Sequence, residues 1–388
     1  MSATNSPDST ATITDVAAVQ LVGTAGQSLV RVDTDAGIAG YGEAGADGPT
    51  VRAQLAHLED LLVGQDPLHI EKLYTKMVGQ QHPYRPHVPT VSGVDIALWD
   101  LAGKLLDRPV ADLLTGPVRD RVPLYVNEGP SDLLDPAGCR AWGESLRDES
   151  PYDTVKVTFD SAIETVAPNR GPTGQRQRTL RERELEQVRR AAEHVREGLG
   201  WDLDFIVHCH NEWDLPSAIG LAEAVAPAKP LWLEDPLPVE YADAWGTLAR
   251  RSPVRILTGE KLERAREFTP FLENEAAHIL QPDLAFAGGI TGCRKIAALA
   301  EFNHVPITAH NVGSLVQNAA TVHFGATIRN FWMTETRITQ LDLIDEMGDA
   351  PGLTLADGAL SIPDGPGLGV DLDEAVINEH RIEGEPSW

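Results

Sequence analysis

The sequence predicts an α/β fold: a (β/α) barrel preceded by a smaller α+β unit. Three observations predict it. From about residue 122, eight short apolar runs alternate with longer amphipathic stretches, the pattern of right-handed parallel β-α crossovers. Eight strands in roughly 220 residues suit a closed barrel better than an open sheet. Seven of the eight runs end in ionisable residues, and barrel enzymes gather their chemistry at the C-terminal strand ends.

In chain order, "AAVQLVGTA" (17–25) and "SLVRVDTDAGIAGYGEAG" (28–45) carry short β-type runs broken by Asp-Ala-Gly and other glycine turns, so the opening is antiparallel. Helices are expected around 49–63 and 91–106; in the second, Val94, Ala97, Leu98 and Leu101 recur at helical spacing. The barrel strands are "VPLYVNE", "DTVKVTF", "DFIVHCH", "PLWLEDP", "RILTGE", "HILQPDLA", "PITAHN" and "FWMTET", with helices between most of them, as at 181–198. The Gly-Gly of "FAGGITG" reads as a tight strand-to-helix turn. The interval 160–180 reads as a long solvated loop, with Arg170, Arg176 or Arg178 reaching a substrate carboxylate as the functional alternative. The turn-rich tail "LADGALSIPDGPGLGVDLDEA" is expected to return to the N-terminal unit. The expected division is 1–121 for that unit, 122–354 for the barrel and 355–388 for the returning segment.

Composition narrows the partners. With 58 acidic and 32 basic residues the net charge is −26, which argues against nucleic acid and anionic membrane surfaces as partners. Only seven of the basic residues are Lys. No signal peptide or bilayer-length apolar run is apparent, and three irregularly spaced cysteines suit a reducing, cytoplasmic setting.

The polar strand ends, in order, are Lys156, His208 with His210, Glu234, Glu260, Asp283, His310 and Glu335. Unpaired charge in a barrel mouth is costly, and a shared cation would relieve it. His208, Glu234 and Glu260 are spaced 26 residues apart, one β-α unit per step, so their side chains should converge from adjacent strands with open positions left for substrate. Carboxylate oxygens favour a hard divalent cation. Asp283 and His310 are one further unit apart, at 27 residues, and an aspartate beside a histidine orients it and raises its basicity. Glu212 and Asp214 read as the start of the next helix, and Trp99 and Trp232 as core. Tyr41, His82, Tyr84, Arg85 and His87 read as packing residues of two loops. Trp388 reads either as a cover for the site or as a free tail.

Taken together, "SGVDIALWDLAGKLLDRPVADLL", the ligand steps, "LEDP", "QPDLAFAGGITG", the Asp283–His310 pair and "PDGPGLGVDLD" resemble the enolase superfamily. The resemblance is to its mandelate racemase-like branch, closest to acid-sugar dehydratases. It implies a (β/α)7β barrel, a modified TIM barrel, under an α+β capping domain. It also implies Mg²⁺ on His208, Glu234 and Glu260, bound to the substrate carboxylate while His310 removes the α-proton. By the same resemblance His210 protonates the departing β-hydroxyl, and Glu335 hydrogen-bonds the substrate carboxylate. Lys156 reads either as a further contact to that carboxylate or as one half of a buried ion pair. Asn211 would be an outer support, and the loops with Tyr41, His82, Tyr84, Arg85 and His87 would lie where such proteins place specificity loops that meet sugar hydroxyls. The expected partner is a small carboxylate, a sugar acid, and the expected assembly a homo-oligomer.

Two departures matter. Lys156-Val157-Thr158 lacks the second lysine that many relatives use as a base, which disfavours two-base racemisation. His208 stands where relatives usually carry Asp, which should weaken Mg²⁺ or favour Mn²⁺ or Fe²⁺. A weakly active or non-catalytic sugar-acid binder, or an epimerase or cycloisomerase, are the competing readings.

Overall fold

A computed structural model describes residues 11–79, 86–163, 179–211, 213–337 and 342–388. The opening strands β1 (Ile13–Gln20), β2 (Ser28–Thr34) and β3 (Ala39–Ala44) form an antiparallel meander. Helices α1 (Gly48–Leu62), α2 (Ile70–Val78) and α3 (Val88–Leu106) cover it. Helix α2 is not among the helices expected from sequence; at nine residues it is too short for a strong periodic signal. Val91, Val94, Ala97, Leu98 and Leu101 of α3 are buried against the meander. The approach is close enough that a Cβ on Gly42 would lie 2.0 Å from the Gly93 carbonyl oxygen, which is why β3 reads Gly-Tyr-Gly.

After the short helix α4 (Val110–Leu113) come the barrel strands β4 (Arg121–Asn127), β5 (Thr154–Thr158), β6 (Asp204–His208) and β7 (Leu233–Glu234). The remaining four are β8 (Ile256–Thr258), β9 (Ile279–Leu280), β10 (Ile307–Ala309) and β11 (Phe331–Thr336). Each pairs in parallel with its successor, and β11 pairs with β4 to close the ring. Seven helices lie between them: α5 (Pro136–Glu149), α6 (Glu182–Leu199), α7 (Leu215–Val225), α8 (Asp243–Arg251), α9 (Arg264–Glu273), α10 (Gly289–Phe302) and α11 (Leu315–Thr327). This is the eight-stranded (β/α)7β barrel. The 164–178 part of the arginine loop, His82, Tyr84, Arg85 and Glu212 lie outside the described residues.

Strand alternation sorts the side chains. Phe205, Val207, Leu233 and Leu280 join the large core beneath the helices, while Tyr125, Ile206, Trp232, Leu257, Ile279 and Met333 form a separate buried cluster. That cluster plugs the lumen. Two residues beyond four of its members, on the same face of the strand, stand His208, Glu234, Gln281 and Glu335. The apolar plug thus floors the polar site.

The tail runs back along the chain. Residues Ala359–Ser361 pair antiparallel with β4, Leu368 donates its N–H to Asp100 of α3, and the Glu385 carboxylate accepts from the Gln20 N–H and pairs with Arg52. Trp388 rests on Tyr41, ring centroids 5.6 Å apart, and the Lys104 ammonium sits over the same tyrosine ring, 4.4 Å from its centroid.

Asp95 of α3 is fully buried and accepts from the Thr291 N–H at 2.9 Å, capping the start of α10 beyond the Gly288-Gly289 turn. Burial pushes its carboxyl up to about 7, against the bonds from Thr291. Its folded value exceeds its unfolded one, so its contribution to stability is present below about pH 4 and is lost as pH rises through about 7. Asp95→Asn should remove that slope. The measurement is Tm of both proteins from pH 4 to 8: the variant should gain relative to the wild type as pH rises and level off above 7. A constant offset would refute this.

Candidate active site

Strands β6, β7 and β8 deliver three potential ligands to one point. His208 and Glu234 are the last residues of β6 and β7 and are register partners; Glu260 follows Gly259, which lies at φ +143 where a Cβ would sit 2.9 Å from the Gln281 backbone. All three are buried, and one donor atom from each lies within 4.8 Å of the others. It is the one such group found among the described residues.

The donor set fits a divalent cation. His208 Nδ1 lies 2.8 Å from Glu234 Oε1 but lacks the geometry of a hydrogen bond, as expected of two donors addressed to a third atom. Burial, reinforced by Lys156, pushes the His208 imidazole down, keeping it neutral with a lone pair to offer. Burial would raise Glu234, but Lys156 and His208 outweigh it and hold its carboxyl well below the usual range. For Glu260, burial is likewise outweighed, by His310, His208 and the two lysines, bringing it to about 2. Four carboxylates (Glu234, Glu260, Asp283, Glu335) share this buried mouth with the Lys156 ammonium, leaving negative charge in excess.

Glu234 is held from several sides. Its Oε1 accepts from Lys156 at 2.8 Å, and its Oε2 from Gln281 Nε2 at 3.1 Å and from Trp232 Nε1 at 3.2 Å. Gln281 also donates to the Tyr125 hydroxyl at 2.6 Å. Lys156 bridges Glu234 and Glu335, 2.7 Å from the Oε1 of the latter. Burial lowers the ammonium's pKa, but these acids outweigh it and keep the proton on. Gln281, Tyr125 and the indole of Trp232 were not legible as site residues in the sequence. The available signal was their place on the inward face, one strand period below or level with a polar strand end.

The second cluster adjoins the first. His310 follows β10; its Nδ1 lies 2.6 Å from Asp283 Oδ2, and its Nε2 is 3.6 Å from Glu260 and 3.8 Å from Glu335. Burial lowers the imidazole, but Glu260, Glu335 and Asp283 outweigh it and raise it to about 10. Positive charge supplied between Glu234 and Glu260 would offset this and free Nε2 to accept a proton.

His210 reaches the site by a different route from strand alternation. β6 ends at His208, and His210 and Asn211 both lie at positive φ, +53 and +61. That left-handed turn, not the pleat, sets its ring against His208, centroids 3.9 Å apart. Asn211 donates to the Leu237 carbonyl and accepts from Lys261, which also pairs with Glu260 at 2.9 Å. Asp214 caps α7 through the Ser217 N–H. His87 caps α3 through Thr90, and Trp99 donates to Thr291. The structure thus groups Lys156, His208, Glu234, Glu260, Asp283, His310 and Glu335 through direct contacts and joins His210 through His208.

Comparison with known proteins agrees with this geometry. Residues 5–115 match the mandelate racemase/muconate lactonizing enzyme N-terminal domain, and residues 140–376 match the enolase C-terminal domain-like family. A D-xylonate dehydratase from Haloferax volcanii is 34% identical over 97% of this chain and 90% of its own length. A D-galactonate dehydratase from Ralstonia nicotianae is 33% identical, covering 93% and 92%. A crystal structure of a mandelate racemase/muconate lactonizing enzyme-like protein from Rubrobacter xylanophilus superposes with a TM-score of 0.85 at 30% identity, covering 97% of this chain and 99% of that one. The chain belongs to the mandelate racemase/muconate lactonizing enzyme family of the enolase superfamily.

Proposed function

We propose that the protein is a hydro-lyase that dehydrates an acid sugar, an aldonate, to a 2-keto-3-deoxy acid. The observation that carries this reading is the junction of two clusters in one mouth: a candidate cation site, and a histidine whose far nitrogen is tied to a buried aspartate. The dehydratase relatives support the same class of reaction.

His208, Glu234 and Glu260 would hold the cation. When bound there, it supplies the positive charge that makes loss of a proton beside a carboxylate accessible. Asp283 keeps the His310 Nδ1–H engaged, so Nε2 faces the substrate and takes the α-proton. Lys156 and Glu335 meet the substrate carboxylate. His210 gives a proton to the β-hydroxyl, which departs as water, and the resulting enol tautomerises to the 2-keto acid. The C–H and C–O bonds that break thus account for one molecule of water. With an imidazole among the ligands, we expect Mn²⁺ or Fe²⁺ to serve as well as Mg²⁺.

The partner is a small carboxylate, with neither nucleic acid nor membrane required, and no described helix is long and apolar enough to cross a bilayer. We expect a cytoplasmic homo-oligomer, to be checked by light scattering. The functional test is a panel of aldonic acids in D₂O with Mg²⁺ and, separately, Mn²⁺. Deuterium at Cα together with a 2-keto-3-deoxy product supports the reading. Exchange with epimer formation and no water loss would move the assignment to an epimerase, and binding without exchange to a sugar-acid sensor.

A further inference from the structure

The base pair is held by a helix that starts beside it, and that helix is held by the capping domain. Gln317, in the first turn of α11, donates from Nε2 to Asp283 Oδ1 at 2.7 Å, while Asp283 Oδ2 faces His310 at 2.6 Å. The Ala285 N–H, at 2.7 Å, is the other donor to Oδ1. Two donors on one oxygen fix the plane of the carboxylate and leave the other oxygen for the imidazole. The next residue, Asn318, accepts at Oδ1 from Asn311 Nδ2 at 3.0 Å and from Thr336 Oγ1 at 2.6 Å. One helical turn therefore ties together the loops after β9 and β10 and the end of β11.

The start of this helix is set by a residue from another part of the chain. Glu43 of β3 is fully buried, and its carboxylate accepts from the Ser314 N–H at 3.0 and 3.1 Å, the Ser314 hydroxyl at 2.6 Å and the Gln317 N–H at 3.2 Å. It takes up N–H groups that a helix leaves unpaired at its first turn, at the end where a carboxylate is favoured by the helix dipole. A residue 271 positions away thus fixes the height and rotation from which Gln317 reaches Asp283.

We propose that Gln317, seated by Glu43 across the interface between the capping unit and the barrel, is a positioning residue for the Asp283–His310 pair, so that seating of the capping unit sets the orientation of the base. This rests on the reading of His310 as the proton acceptor. The bland alternative is that Glu43 and Gln317 only add stability.

The test uses the full-length protein and two variants, Gln317→Met, which keeps the shape and loses the donor, and Glu43→Gln. The first readout is the Nδ1 proton resonance of His310 in protein labelled with ¹⁵N-histidine and free of added metal, assigned by its loss in His310→Asn. The second is kcat and KM for α-proton exchange, with Mg²⁺ affinity and Tm measured alongside. Gln317→Met is expected to shift and broaden the resonance and to lower kcat about 10- to 100-fold, with KM and Mg²⁺ affinity unchanged. Glu43→Gln should move both in the same direction by less. An unmoved resonance, or losses confined to Tm, would overturn the proposal. If Gln317→Met does not fold, Glu43→Gln carries the same test. A shifted resonance in a protein whose wild type exchanges no acid sugar would leave the positioning role standing and remove the proposed reaction instead.

Discussion

His310→Asn is expected to stop exchange of the substrate α-proton with D₂O, a loss on the order of 10³-fold or more, whereas His210→Asn should preserve exchange and stop the loss of water. The asymmetry follows from what each ring can do. His310 has its Nδ1 committed to Asp283 and its Nε2 turned towards Glu260 and Glu335, so removing the ring removes the acceptor proposed for the α-proton. Asparagine fills similar space but has no basic lone pair. His210 meets the site through its ring contact with His208, and the Asp283–His310 pair that takes the proton does not include it, so its loss should leave proton removal intact. Departure of the β-hydroxyl then lacks a proton donor, and the α-carbon exchanges without elimination. Mass spectrometry of recovered substrate, combined with an assay for 2-keto acid, separates the two steps. Full turnover in both variants would refute both roles.

Glu234→Gln should abolish divalent-ion binding at the mouth while leaving the protein folded. Replacing a residue that supports a ligand costs roughly 10- to 100-fold in metal affinity, and removing a charged ligand should exceed that. Folding should survive because of Lys156. Breaking a buried ion pair is severe, about 3–5 kcal/mol, when it strands a charge. Here Lys156 keeps Glu335 at 2.7 Å, and the new amide can still accept from Trp232 or Gln281. Calorimetric titration with Mn²⁺, together with the thermal melt of the metal-free protein, checks both halves. Wild-type affinity in the variant would exclude Glu234 as a ligand, and a collapsed melt would show that Glu335 does not compensate.

The barrel and the polar strand ends were legible because both depend on short-range pattern. Each strand is an apolar run with period two, and the residue two beyond the lumen plug shares its face, so "IVH", "WLE" and "MTE" announce both the floor and the polar residues above it. Equal spacing then brings His208, Glu234 and Glu260 together. Strand alternation would place His210 on the side of His208, but a left-handed turn carries it there, and nothing in the letters His-Cys-His fixes the sign of φ. Gln281 was illegible because its value lies in reaching Tyr125 and Glu234, 156 and 47 residues away. The same holds for Gln317 and Glu43, whose partners are brought near only by tertiary packing. Trp232 reads correctly as core, yet its indole N–H makes it a support for Glu234 as well.

The most direct test of the central claim is anomalous diffraction from crystals of the full chain grown with Mn²⁺. The expected result is one strong anomalous peak at the barrel mouth, ligated by a ring nitrogen of His208 and by carboxylate oxygens of Glu234 and Glu260. A peak ligated elsewhere, or none at saturating Mn²⁺, would contradict it.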